Sequence, residues 1–511
     1  MHASLPLYFL IQFLLLCCVA LLSGCAQTTL SEPKAISYAI AAHPSSKLAR
    51  YIAPERQEHP NQTGFYPLAD GKDAFIARLA IIQSAEHSID AQYYIFRDDL
   101  TSTVISMYLY QAAERGVRVR LLLDDMQSRN DEDMANIAAH PNIEVRLFNP
   151  FKQRNVRSIG LVSDFDRLNR RMHNKSLTVD GIFSIAGGRN IGDEYFSADS
   201  SVEFGDFDLL MVGDIVSPIA TQFDVYWNND AAIPIEHLQG QGNKIPHDEL
   251  AQWYSEQHQD IATSEYFYTL ASLPIIEKLK TQKIPFYWGD AELYYDLPSK
   301  LSAPSQENPL LHQISELLEN TKQELLLISP YFVPTKAGAE ALAKASRDGM
   351  KITIITNSLA SNDVFAVHGW YAKRRQMLLE SGVHIYETQV NPYISQKHSW
   401  IGSSRTSLHA KTYILDREQL FVGSFNFDPR SAQYNTEMGV VVHSPLFIKK
   451  IYQKLDGSLK KNTYRLILDE NNNIVWVDER TQKRYTSEPD ASLMLRMGAW
   501  FSGMLPIENL L

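Results

Sequence analysis

Short apolar runs of strand length, each bounded by glycine or polar residues, alternate along this chain with stretches in which apolar positions return every three or four residues. That alternation is the pattern of helices laid over a buried, largely parallel sheet. Ser88 to Phe96 reads as a strand, Thr101 to Arg115 as a helix stopped by Gly116, Val117 to Leu123 as a buried strand and Ile143 to Phe148 as another. The succession then returns. Leu325 to Phe332 answers the first strand, Lys351 to Ile355 after Gly349 the second, and Val383 to Tyr386 after Gly382 the third. Tyr93 and Tyr331 stand 238 positions apart, Gly116 and Gly349 233, and His173 and His409 236. A period this long marks two domain-sized copies rather than a solenoid. The expected fold is therefore α/β, two duplicated α-β-α domains packed pseudo-symmetrically around one active site.

The ends break the pattern. Leu5 to Leu22 is apolar except for Gln12 and runs into Ser23-Gly24-Cys25, which resembles a bacterial lipoprotein signal with Cys25 as the lipidated residue. An uncleaved membrane helix is the alternative. Ala26 follows the cysteine, which leaves sorting to either the inner or the outer membrane open, on the periplasmic side of the cell envelope. The expected organisation is a signal at 1–25, a proline-punctuated tether at 26–60, a first domain at 61–240, an inter-domain segment at 241–290, a second domain at 291–460 and a C-terminal hairpin and amphipathic tail at 461–511. In that tail Leu493, Met497, Trp500, Phe501 and Met504 recur at helical spacing. Docking on the protein's own core is the expected role, with the bilayer interface as the alternative.

Composition narrows the chemistry. The 45% hydrophobic content belongs to a globular chain with a large core, and 48 basic against 59 acidic residues give a net charge of −11. Such a surface is a poor match for long nucleic acid, so none is expected as a partner. All three cysteines, Cys17, Cys18 and Cys25, lie in the leader. The body has no thiol for a disulfide, a nucleophile or a metal site.

Two segments carry the chemical signal: His173-Asn174-Lys175 with Asp180, and His409-Ala410-Lys411 with Asp416, both His-x-Lys-x4-Asp. On a strand the His and Lys point to one face and can converge on one ligand. Asp180 and Asp416 complete the motif, but their parity is opposite and they open a turn, so they are expected to support the loop. Small residues follow each copy, Gly187-Gly188-Arg189-Asn190 and Gly423-Ser424-Phe425-Asn426. Backbone N–H groups there can approach an anion, and Asn190, Ser424 and Asn426 can donate to phosphate oxygens. Asp206 and Glu437, each ahead of an apolar strand, can hold a histidine by its second ring nitrogen. Lys152, Arg154, Arg157, Arg167, Arg170 and Arg171 form a basic run that reads equally as a headgroup collar or as a solvated face balanced by Asp164 and Asp166. His368, Trp370 and Tyr371 read as helix packing.

This constellation resembles the phospholipase D superfamily. Asp164 to Lys175, Gly187 to Tyr195, Gly423 to Arg430 and the ending Leu505 to Leu511 make it similar to the bacterial cardiolipin synthases of the C type. The resemblance implies two phospholipase D-like domains and a phosphatidyltransferase that works through a phosphohistidine. By that analogy His173 is the nucleophile and His409 the acid and base, with Lys175, Lys411 and the asparagines steadying the phosphate. It implies no cofactor and no metal, and phosphatidylglycerol and phosphatidylethanolamine at a membrane surface as substrates. Hydrolysis to phosphatidic acid, a nuclease of the same superfamily and a silent tether are the alternatives. An accessory protein is not specified by the sequence.

Overall fold

The structure is a computed structural model that describes residues 34–511 apart from short internal stretches, of which 240–248, 257–265, 302–307 and 391–405 are the longest. The leader and Cys25 lie outside the described residues.

The first half contributes β1 (Thr63–Leu68), β2 (Ser88–Ile95), β3 (Arg118–Gln127), β4 (Ile143–Phe148), β5 (Ser176–Val179), β6 (Phe183–Gly187), β7 (Glu203–Gly205), β8 (Asp208–Gly213) and β9 (Ala232–Pro234). Apart from β7 they form one sheet in the order β1-β8-β6-β5-β2-β3-β4-β9, parallel only between β2 and β3 and between β3 and β4. The second half contributes β10 (Tyr287–Tyr295), β11 (Glu324–Ile328), β12 (Lys351–Asn357), β13 (His384–Thr388), β14 (Thr406–Leu408), β15 (Lys411–Leu415), β16 (Gln419–Gly423), β17 (Met438–His443), β18 (Thr463–Leu468) and β19 (Ile474–Asp478). Its sheet runs β10-β17-β16-β15-β11-β12-β13-β18-β19 and ends on the short strand β20 (Arg484–Tyr485), the same order with two strands added.

Local chemistry explains the parallel cores. The helix Leu100–Glu114 begins on a capping box at Asp99 and ends before Gly116, whose φ of +90° a side chain would strain. Val117, Val119, Leu121, Leu122 and Leu123 are all buried, as a strand covered on both faces requires. The helices Gly71–Ser84 and Leu100–Glu114 cover one face of the first sheet. Its other face meets the second sheet in a shared core of Phe65, Leu209, Met211 and Ile219 against Leu326, Ile414, Val422 and Val440.

Three expectations need correction. Residues 26–60 are no free tether from Lys34 onward: the backbone of Ser37 accepts from Arg120 Nη1 at 3.0 Å, Ala39 N donates to Asp224, and Lys47–Glu58 is a helix that buries Leu48 and Ile52. The prolines obscured this because Pro54 sits inside the helix. The inter-domain segment is not neutral ground either. Leu250, Tyr254, Leu270, Ile275 and Ile284 join the first core, and β10 crosses the expected boundary at 290, pairing through Tyr287–Gly289 with β1 and through Asp290–Tyr295 with β17. Finally, the C-terminal hairpin is present as expected, β18 against β19, but the bound at 460 separates it from the sheet it belongs to: it extends the second sheet beside β13, where β9 stands in the first.

The registers also fix the repeat offset. Gln92 pairs with Ser176 and Ile328 with Thr412, while Phe96 bridges Ile191 and Phe332 bridges Phe427. Every one of these equivalences is 236 positions, so Tyr331 corresponds to Ile95 and not to Tyr93.

Candidate active site

The two His-x-Lys segments lie at the seam between the copies, and backbone pairing puts them there. Leu408 pairs in parallel with Gly205, and Met172 bridges Thr436 in parallel. The next residues are then locked in turn: His409 N donates to Gly205 O at 2.7 Å and His173 N to Thr436 O at 2.8 Å. Each histidine is thereby registered on the strand entry that carries the other copy's carboxylate. His173 Nδ1 lies 2.7 Å from Glu437 Oε2 and His409 Nδ1 lies 2.6 Å from Asp206 Oδ2. A hydrogen bond from Nδ1 to a carboxylate fixes the tautomer in which Nε2 carries the reactive lone pair.

Around these pairs the site is dry and cationic. His173 and His409 are 7% and 9% exposed, and Lys175 and Lys411 1% each. Burial, then Lys175, Lys411 and Arg430, hold His173 well below the usual histidine range. Burial and Lys411 push His409 down to about 4 against the pull of Asp206. Burial also lowers Lys175 to about 7 and Lys411 to about 8. Each lysine acts on the histidine of the other copy, so the four side chains share one electrostatic site. Lys175 Nζ donates to His173 O at 2.6 Å, whereas Lys411 Nζ reaches both His409 O and, at 3.0 Å, His409 Nδ1. Among the described residues no three His, Cys, Asp or Glu side chains converge as a metal ion requires.

The remaining expected site residues divide. Ser424 Oγ donates to Glu437 Oε2 and accepts from Met438 N, so it supports the carboxylate. Its counterpart is Gly188, where a Cβ would stand 2.1 Å from Asp206 Oδ1. Asn426 is buried with its side-chain oxygen unbonded among the described residues. Asn190 departs from expectation: its oxygen accepts from Ile95 N at 3.1 Å and its amide donates to Tyr195 OH at 3.0 Å, so it braces the loop. Asp180 and Asp416 are not in the site. Asp180 accepts from Glu86, His87 and Ser88 N, Asp416 from Lys322, Gln323 and Glu324 N, and both take a positive φ, near 50°. They clamp the start of β2 and of β11, at the far end of β5 and β15 from the histidines.

Two aromatic neighbours of the histidines lie outside the expected site residues. Tyr94 meets His173 edge-on at 4.9 Å with Lys175 5.6 Å from its ring centre, and Tyr195 meets His409 edge-on at 5.2 Å. Continuing the register Gln92↔Ser176 by two residues sets Tyr94 opposite Asn174, the signal by which it could have been found. Arg430 was also passed over; it holds Asn169 through both the side chain and the backbone, across the seam from the second copy to the first. The basic run is largely paired inside the protein: Arg154 and Arg157 with Asp125 and Asp131, Arg167 with Asp164, and Arg171 with Asp124. His368 and Tyr371 pack in the helix Phe365–Glu380, bonded to Glu488 and Glu387.

Comparison with known proteins agrees with this geometry. The family described as "Cardiolipin synthase, PLD-like domain" matches residues 79–227 and 314–461. Cardiolipin synthase C of Escherichia coli (strain K12) is 40% identical over 475 residues, covering 91% of this chain and all of the relative. The major cardiolipin synthase of Bacillus subtilis (strain 168) is 26% identical, covering 78% of this chain and 70% of its own. Among solved structures, the phosphatidylserine synthase of Haemophilus influenzae Rd KW20 superposes with a TM-score of 0.58 at 14% identity, covering 91% of this chain and all of that one, which speaks to the fold. With two copies of one fold, reciprocal histidine–carboxylate pairs at their seam, and these relatives, the chain belongs to the cardiolipin synthase family of the phospholipase D superfamily.

Proposed function

We propose that this phosphatidyltransferase makes cardiolipin, using phosphatidylglycerol as acceptor and phosphatidylglycerol or phosphatidylethanolamine as donor. In the first step Nε2 of His173 attacks the donor phosphorus, the P–O bond to the headgroup breaks, and the departing alkoxide takes a proton from His409. In the second, His409 removes the proton of the acceptor's glycerol hydroxyl, that oxygen attacks phosphorus, and the P–N bond to His173 breaks. Water in place of the glycerol would give phosphatidic acid. Lys175 and Lys411 neutralise the non-bridging oxygens while charge builds on them.

The observation that supports this reading is the reciprocal pairing, His173 with Glu437 and His409 with Asp206, which orients an imidazole from each copy at one seam. The division of roles rests on their partners. His409, Lys411 and Arg189 hold the Asp206 carboxylate well below the ordinary carboxylate range, while burial raises Glu437. An ionised partner favours the imidazolium that an acid and base must become, and Asp206 is the more firmly ionised of the two carboxylates.

The protein would work at a membrane surface, with Cys25 as its lipid anchor in the bacterial envelope. Among the described residues no helix is long and apolar enough to cross a membrane. Mass spectrometry of lipids from cells lacking their own cardiolipin synthases, with and without this chain, tests the proposal. Cardiolipin appearing with the chain supports it, and phosphatidic acid alone would replace the synthase with a hydrolase.

A further inference from the structure

The helix Leu493–Met504 is packed inside out. Its buried side consists of small residues, Ala499, Ser502 and Gly503, set against the helix Phe365–Glu380 so closely that a Cβ on Gly369 would stand 2.1 Å from Ala499 O. The large residues face outward instead: Leu493, Met494, Met497, Trp500, Phe501 and Met504 are between 54% and 76% exposed. Their spacing of one, four, seven, eight and eleven places them on a single stripe. Val364 and Phe365, 37% and 40% exposed, belong to the same region, since Phe365 contacts Gly498. The expectation that the apolar tail docks on its own core is thus overturned: the helix docks by its small residues and leaves the apolar ones unpartnered.

We infer that this stripe is the surface by which the protein sits in the bilayer, and that it brings the bilayer to the mouth of the active site. Three observations select a lipid surface as the occupant. The helix carries no Asp or Glu and one Arg, which suits anionic headgroups, and its two aromatic rings are the kind that settle at the headgroup boundary. The nearby Lys373 lies 3.8 Å from the ring centre of Trp370, a cation and an indole at the same level. The stripe is also continuous with the site. Beyond the helix, Leu510 O and Leu511 O both accept from Arg430, the residue that bridges to Asn169 and lowers His173. On the other flank, Asp363, next to Val364, accepts from Tyr331 OH at 2.8 Å and acts on Lys411. An apolar face rimming a phosphate site lets a phospholipid present its headgroup while its acyl chains stay in the membrane. That last step rests on the phosphatidyltransferase reading; the docking itself does not.

The full chain, reconstituted in phosphatidylglycerol–phosphatidylethanolamine vesicles with brominated acyl chains, tests the docking through tryptophan quenching. The quenching should fall in Trp500→Phe, which keeps the surface apolar and removes the reporter. Equal quenching in both proteins would overturn the proposal. A second arm uses Trp500→Asp/Phe501→Asp, exposed positions that the fold does not need. Turnover on vesicles should drop about tenfold or more, while turnover of a short-chain phosphatidylglycerol kept monomeric in solution is unchanged. An undiminished vesicle rate, or a dimer in detergent that the double variant dissolves, would overturn it, the latter in favour of a second copy of this chain as occupant. Failure of the wild-type protein to turn over any phospholipid would overturn the functional reading while leaving the quenching result to stand.

Discussion

The two halves of the site were built from one repeat, and they differ in what stands behind each histidine. His173 faces Glu437, whose carboxylate receives the Ser424 hydroxyl. His409 faces Asp206, against which only the bare Gly188 fits, and has Lys411 Nζ 3.0 Å from its Nδ1. The longer acid with the hydroxyl and the shorter acid with the glycine reach their histidines at nearly the same distance, 2.7 and 2.6 Å. Geometry has been kept while electrostatics have diverged. A duplicated site can hold two identical side chains at one reaction centre and still assign them different tasks through what stands behind them.

The largest test of that difference removes the imidazoles. Either His173→Ala or His409→Ala should lower cardiolipin formation by about 10⁴-fold or more. With a phosphatidyl p-nitrophenol donor, whose leaving group needs no proton, His409→Ala should still release a burst of p-nitrophenol and His173→Ala none; the reverse outcome would exchange the roles. Next come the carboxylates. Asp206→Asn and Glu437→Gln should each cost about 10²–10⁴-fold, and rate measurements should show the Asp206→Asn deficit shrinking on the activated donor while the Glu437→Gln deficit stays.

A smaller effect is expected from exchanging the supports. Ser424→Gly leaves a buried carboxyl short of one donor and should slow turnover about tenfold. Gly188→Ser forces its Cβ onto Asp206 and should cost more than that, with a lower melting temperature. The lysines give a pH signature. Lys175 titrates near 7 when folded against about 10.4 when unfolded, so between those values the unfolded chain holds more protons and stability rises with pH. Denaturant titrations should show the free protein more stable at pH 9 than at pH 7, and Lys175→Met should flatten that slope while abolishing activity. The smallest effect on chemistry belongs to the motif's own aspartates. Asp180→Ala removes an acceptor shared by three backbone N–H groups and should lower stability by about 2 kcal/mol, with the rate per folded molecule unchanged. Asp416→Ala, at a less buried turn, should cost less.

Much of this was legible in the sequence because strand pairing is periodic. The repeat, the strands from Ser88, Val117 and Ile143, and the facing of His and Lys at i and i+2 all follow from local pattern. Which carboxylate meets which histidine was not legible, because the answer lies in two parallel contacts between copies, Leu408 with Gly205 and Met172 with Thr436, that no local period encodes. Asn190 looked like a phosphate donor because its type and place allow it; burial beside Ile95 N and Tyr195 gave its amide other work. The tail misled for a related reason. Helical spacing of large apolar residues marks a face, and only the close approach of Ala499 to Gly369 says that the opposite face is the one that packs.

The strand β10, hydrogen-bonded to β1 at one end and to β17 at the other, joins the two sheets along one continuous seam. The two histidine–carboxylate pairs are thus carried on one framework, because the ladder of the first sheet passes through β10 into that of the second.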